Sequence, residues 1–395
     1  MRAAAVAALC LFALGGAPAR GADSPIDVAT AKPGSFIHME GTGRRSLALS
    51  GVSVGLAWED DRGGAPACHV AVKPAGAAAF REFAMGRGEC FEPSISAADA
   101  ERFLVIWEDE AGVNVALAGR DGVGPATTLA TPGGQGSVAY APGLGAFAAW
   151  SAPEGRWRRV RVAPLALDGM ALRAGTSQPA DAAEPADDQL FPTLAATEKG
   201  LALAWEDRRH GHTVIYGSHS DDGRAWSAPK RISGNPTGKA NGNLGRGTGA
   251  MRPSLAVFGA RLGATWLDKR DFLSGYDVYA ALSEDGGASF AKDVKAQDSF
   301  GDAIAQWHAT AAGNRRGGLV LAFDDERDGT PDIWLIRLTP TGWGENFTLP
   351  AASGPGRQSD PAIALDEAGN LHLAWIDQDV AGVMRLRYTV LPAAK

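Results

Sequence analysis

The residues with chemistry to offer in this sequence are its acid–arginine pairs and a few tyrosines. Asp60/Arg62, Asp207/Arg209, Asp268/Arg270 and Asp325/Arg327 share the spacing Asp-x-Arg, which sets a carboxylate beside a guanidinium. A single such pair could hold an acidic substrate and handle its protons. Recurring at one spacing along the chain, the pairs read instead as architecture, with carboxylates capping a loop and pairing with arginine of the same or a neighbouring repeat. If exposed, each contributes little stability.

The pairs belong to a longer phrase, an apolar run ending in an aromatic residue and followed by acids. It occurs as VGLAWEDDR (Trp58), FLVIWEDE (Trp107), LALAWEDRR (Trp205), LGATWLDKR (Trp266), LVLAFDDER (Phe323) and LHLAWIDQD (Trp375). A weaker copy, GAFAAWSA (Trp150), has lost its acids. The anchors lie roughly 43 to 61 residues apart, the period of a four-stranded propeller blade. The expectation is an all-β protein, a β-propeller of seven blades of four antiparallel strands, with six blades as the alternative count, over a single domain spanning 23–395.

Alternation and β-branched or aromatic content mark the strands of the fourth unit: FPTLAAT innermost, then GLALAWED, HTVIYGSHS and SAPKRIS. Tyr216, Tyr279 and Trp334 fall at one third-strand position and read as packing between blades. The last unit supplies only three strands, so the segment around Phe36, Ile37 and His38 is expected to add the fourth and close the ring.

Composition agrees with a turn-rich β protein: of 395 residues, 51 are glycine and 23 proline, and 45% are hydrophobic. The net charge of −7 argues against nucleic acid as a partner. The N-terminus, MRAAAVAALCLFALGGAPARGADS, reads as a signal peptide over 1–22, which makes the protein secreted or periplasmic; no later stretch is long enough for a membrane span. Removing that segment leaves Cys68 and Cys90, which are expected to form a structural disulfide in an oxidising compartment.

Two turns carry a more specific pattern, SDDGRAW (Ser220, Asp222, Gly223, Trp226) and SEDGGASF (Ser283, Asp285, Gly286, Gly287, Phe290). A carboxylate can accept backbone N–H groups inside such a turn, glycine tolerates positive φ, and the terminal aromatic packs beneath. They resemble the Asp-box, or BNR repeat, of the sialidase-like propellers. The resemblance implies boxes between third and fourth strands, on the face opposite an active site. It also implies an arginine triad, an Asp acid/base and a Tyr nucleophile assisted by Glu. Here the family's Phe/Tyr-Arg-Ile-Pro motif is replaced by GTGRRSLALS, where Arg44 and Arg45 stand outside the phrase. Of the tyrosines, only Tyr276 falls in a second-to-third strand loop on the functional face.

The histidines show no paired ligand spacing, no calcium loop is present, and no G-x-S-x-G elbow occurs, so no metal and no cofactor are expected. Positions where equivalent residues differ between blades are the better guide to a site. At the start of the innermost strands stand Glu92, Phe191, Arg252, Trp307 and Asp360, a set suited to a polar ligand with an apolar face. A long Gly/Asn-rich connection before the fifth unit adds Lys239 and Arg246. The sequence reading is a monomeric carbohydrate- or protein-binding module, its partner a glycan or an envelope or extracellular protein. The alternative is a glycoside hydrolase, exo-sialidase-like, with an atypical set in which Tyr276 and Arg252 are the catalytic candidates.

Overall fold

A computed structural model describes residues 24–39, 45–99, 101–236, 249–270, 275–299 and 304–393. Lys239, Arg246, Arg44 and the expected signal segment lie outside these residues. Among them are seven antiparallel sheets, each forming a four-stranded blade; six draw on strands consecutive in the chain, and the last joins the two ends of the chain. The outermost strand is broken into two short pieces in blades two, three and six. A single 3-10 turn, Pro350–Ala352, is the one helical element among the described residues. No described helix is long and apolar enough to cross a membrane.

The blade sheets pack face to face, so their central strands are covered on both sides. The second strand of blade four, Gly200–Asp207, is buried at every position. This is why the repeated phrase reads as a continuous apolar run rather than an alternating one. Seven hydrophobic clusters fill the interfaces between neighbouring blades, and each contains one anchor aromatic. Trp205, for example, packs toward blade three among Phe147, Ala149 and Val160. Tyr216 and Tyr279 join such clusters from the third strand.

Ring closure differs from the sequence expectation. The fourth strand of the last blade is Ile26–Ala31, paired with Met384–Leu391 in the register Ile26↔Tyr388. Ile37–His38 instead begins blade one, pairing with Asp60 and Glu59. Both segments are short and apolar, and only the register of the completed ring distinguishes them. The innermost strand of blade one resumes at Leu47–Ser50.

Cys68 and Cys90 are bonded, joining the third strand of blade one to the first strand of blade two across a separation of 22 residues. Replacing both by serine is expected to destabilise the protein by roughly 3 kcal/mol, the chain-entropy value for a loop of that size. A urea midpoint that does not move between oxidised parent and variant would refute this.

Candidate functional site

Antiparallel strands of a blade alternate in direction. The starts of the innermost strands, the second-to-third strand loops and the blade connections therefore share one face, and the Asp-box-like turns share the other. In those turns Ser220 Oγ accepts the Gly223 N–H at 2.9 Å, while Asp222 Oδ1 accepts the N–H groups of Arg224 and Ala225. Gly223 has φ of 71°. In the next blade Ser283 Oγ accepts the Gly287 N–H at 2.9 Å, and Asp285 accepts from Ser289; Trp226 and Phe290 pack against the clusters beneath. These are structural turns.

The acid–arginine pairs are structural as well. Asp268 is fully buried; it accepts from the Trp266 indole at 3.0 Å, the Arg270 N–H at 2.9 Å and the Arg270 guanidinium at 2.6 Å. Asp60, Asp207 and Asp325 each take the N–H and guanidinium of the arginine two residues on. The guanidinium of Arg270 then lies 3.8 Å from the Tyr279 ring centroid, and that of Arg327 lies 3.9 Å from Trp334. Third-strand aromatics are thus occupied by arginine.

In blade one the pair is extended by His69, whose imidazole lies 3.4 Å from Asp60 and 2.9 Å from Glu82. Burial alone would lower this imidazole, but hydrogen bonds and charge from Asp60 and Glu82 outweigh it and raise its pKa to about 9. A raised histidine contributes stability that is complete below its unfolded value near 6.5 and is lost as pH climbs through about 9. His69→Gln should therefore abolish a decline of roughly 2–3 kcal/mol over that window, measured as unfolding free energy against pH. An identical decline in the variant would show that His69 does not cause it.

The mouth is organised by a residue that the repeated phrase conceals. The acid directly after the aromatic anchor reaches the next blade: Glu59 accepts the Glu92 N–H at 2.6 Å and Glu206 accepts the Arg252 N–H at 2.8 Å. Glu108 accepts the Gln135 N–H in the same way. Blade three has Ser151 there, and Gln135 Oε1 takes over, accepting the Phe191 N–H at 3.0 Å.

The residues so held all have left-handed backbones: Glu92 (φ 56°), Gln135 (61°), Phe191 (48°) and Arg252 (55°), joined by His308 (50°) and Asp360 (53°). Each sits at a bulge in its innermost strand. Proline follows at 93, 192, 253 and 361. The structure thus corrects one member of the sequence set. Trp307 pairs with Asp324 as Leu190 pairs with Glu206, so the equivalent of Phe191 is His308, one residue further. A one-residue shift exchanges the faces of a strand. Blade six has Ala309 where four of the others have proline, which removes the local landmark.

The Arg252 guanidinium lies over Phe191, 3.4 Å from its ring centroid, so one face of that ring is occupied. Trp307 is 37% exposed and packs on Tyr276 with centroids 4.9 Å apart. Burial raises the Tyr276 phenol above its ordinary pKa, and the charge of Glu206 on blade four raises it further.

His38, His308 and Asp360 come together from blades one, six and seven. Asp360 Oδ1 lies 3.4 Å from His38 Nε2 and 3.7 Å from His308 Nε2. Glu59 faces His38 Nδ1 at 3.3 Å, and Asp324 faces His308 Nδ1 at 2.6 Å. Burial raises the Asp360 carboxyl, partly offset by the two histidines. These three are the described residues able to hold a metal ion together, their ligand atoms lying within 4.8 Å of one another. The expectation of no metal rested on local spacing, which cannot register ligands so far apart in sequence.

Below the mouth, Arg45 spans the channel. Its guanidinium donates to the Leu255 carbonyl at 2.9 Å, and its own carbonyl accepts the Ile95 N–H. Burial lowers its pKa. A cavity of about 420 Å³ opens on the opposite face, lined largely by small apolar side chains such as Ala97, Ala139 and Ala312. Arg45, Tyr140, Asn314, Arg315 and Glu367 add polar groups to that lining, whereas the mouth gathers the cross-blade carboxylates and the residues they hold.

The fold is a seven-bladed β-propeller. In particular, it is similar to the structure of a protein of unknown function from Dyadobacter fermentans, with 11% identity and a TM-score of 0.54, covering 94% of this chain and 100% of that one. It is also similar to the Penicillium chrysogenum α-L-arabinanase complexed with arabinobiose, with 12% identity and a TM-score of 0.51, covering 94% and 99% of the two chains. A weaker likeness, with 10% identity and a TM-score of 0.46, joins 94% of the chain to 58% of the Trypanosoma rangeli sialidase in complex with the inhibitor DANA. No family model matches the sequence, and no curated protein matches it. Likeness at this level establishes the fold, not a substrate.

Proposed function

We propose that the chain is a secreted or periplasmic binding propeller whose mouth accepts a small saccharide or similarly polar ligand. The observation that carries this reading is the ring of left-handed positions. Six residues, Glu92, Gln135, Phe191, Arg252, His308 and Asp360, share one strained backbone conformation while their side chains have little in common. Such strain concentrates at functional sites, and repeat packing alone would favour similar residues in every blade. Arg252 supplies a cation for an acidic group, and Glu92 an acceptor. That a propeller of this fold holds arabinobiose makes neutral pentose oligomers, beside acidic sugars, the first ligands to test.

A second reading, glycoside hydrolysis, takes as its nucleophile Tyr276, which packs against the partly exposed Trp307 with centroids 4.9 Å apart. One experiment addresses both: calorimetric titration of the mature chain with sialosides and arabino-oligosaccharides, alongside turnover of their fluorogenic counterparts, in parent, Arg252→Ala and Tyr276→Phe. Binding without turnover supports the binding module. Turnover lost in Tyr276→Phe replaces it with the hydrolase, and neither binding nor turnover for any of these sugars removes the saccharide reading.

A further inference from the structure

We infer that His38, His308 and Asp360 form a binding site for a divalent transition-metal cation of the zinc class. The inference does not rest on a saccharide ligand, because the ion is measured with no sugar present.

Distances come first. Ligand atoms bonded at 2.0–2.2 Å to a tetrahedral ion stand about 3.4 Å from one another. The Asp360 carboxylate lies 3.4 and 3.7 Å from the two imidazole nitrogens, close to that separation without any movement of the chain. All three ligand atoms fall within 4.8 Å of one another.

The surrounding groups point the same way. A metal-bound histidine ordinarily gives its other ring N–H to a carboxylate, which fixes the tautomer and aims the lone pair. Both histidines have this arrangement, with Glu59 at 3.3 Å and Asp324 at 2.6 Å on the Nδ1 side. Glu59 is itself held by the backbone N–H of Glu92, and His308 by its place at the strand bulge. Nε2 of each ring is thereby left facing Asp360.

Asp360 supplies an independent sign. Its side chain is 8% exposed, and its Oδ2 accepts the Ser359 hydroxyl at 2.7 Å. Its Oδ1, on the side facing the imidazoles, is buried and accepts no hydrogen bond. A buried carboxylate oxygen in that condition is costly unless a cation satisfies it. Two imidazoles and one carboxylate match first-row transition ions with open coordination positions, whereas Ca²⁺ and Mg²⁺ select oxygen ligands.

The test uses tag-free mature protein stripped with chelator, then titrated calorimetrically with Zn²⁺ and, separately, Ca²⁺. Metal content after dialysis and the visible bands of a Co²⁺-loaded sample report stoichiometry and geometry. The expected result is one Zn²⁺ per chain, no comparable Ca²⁺ binding, and a thermal midpoint raised by Zn²⁺. His308→Ala and Asp360→Asn should lose the ion, while His219→Ala, on the opposite face, keeps it. Asp324→Asn touches no ion and should bind 10–100-fold more weakly. If Asp360→Asn fails to fold, the Asp324→Asn affinity and the Co²⁺ spectrum of the parent still decide. Absence of Zn²⁺ binding in the parent, or equal binding in His308→Ala, Asp324→Asn and parent, overturns the proposal and leaves a cluster of protonated histidines around a carboxylate.

Discussion

Asp268→Ala is expected to destabilise the protein by about 3–5 kcal/mol, the largest single-residue effect on stability foreseen here. The carboxylate is fully buried, and its removal strands the Trp266 indole N–H, the Arg270 backbone N–H and part of the guanidinium. Arg270 keeps Asp293 at 2.5 Å, which limits the loss at the charge but not at the indole. Blade three shows what happens when the whole device is absent. Ala152 stands at the acid position and Glu154 at the arginine position, and Trp150 Nε1 is buried with no hydrogen bond. Acid and arginine are missing together, so no charge is left uncompensated. The double variant Asp268→Ala/Arg270→Ala should accordingly cost less than the sum of the two singles. Urea unfolding of the three variants measures this, and simple additivity would rule out the coupling.

The second large effect concerns the mouth. Arg252→Ala is expected to weaken an acidic saccharide by about 10- to 100-fold, since a charge-assisted hydrogen bond contributes roughly 1.5–3 kcal/mol. Stability should not follow affinity. The Arg252 backbone has φ of 55°, a conformation that side chains oppose, and its N–H is already held by Glu206. Arg252→Gly relieves that opposition, worth about 1 kcal/mol, against the loss of stacking on Phe191. The glycine variant should thus unfold at the parent's urea concentration or above while binding as poorly as the alanine variant. A glycine variant that binds normally would show that Arg252 serves the fold alone.

Much of the architecture was legible because it is periodic and local. One apolar strand ending in Trp-Glu-Asp announces a blade, since the tryptophan fills an interface and the aspartate closes a loop two residues on. The Ser-Asp-Gly turns and the lone remaining cysteine pair were readable for the same reason. The glutamate between Trp205 and Asp207 was not: its partner, the Arg252 N–H, is 46 residues away. The sequence points to Trp307 where the structure has His308, because the bulge, invisible in composition, shifts the register by one residue.

From its order of residues alone, then, the chain determined a propeller of six or seven blades, its anchors, its Ser-Asp-Gly turns and its disulfide, all consequences of short-range pattern and repeat length, and the sheets count seven. Tertiary structure decided what depends on closing the ring. It selected Ile26–Ala31 over Ile37–His38 as the sealing strand, because a strand's partner is chosen by register against a surface assembled last. By bringing blades six, seven and one side by side it also placed His38, His308 and Asp360 around one point, a juxtaposition that no local spacing records.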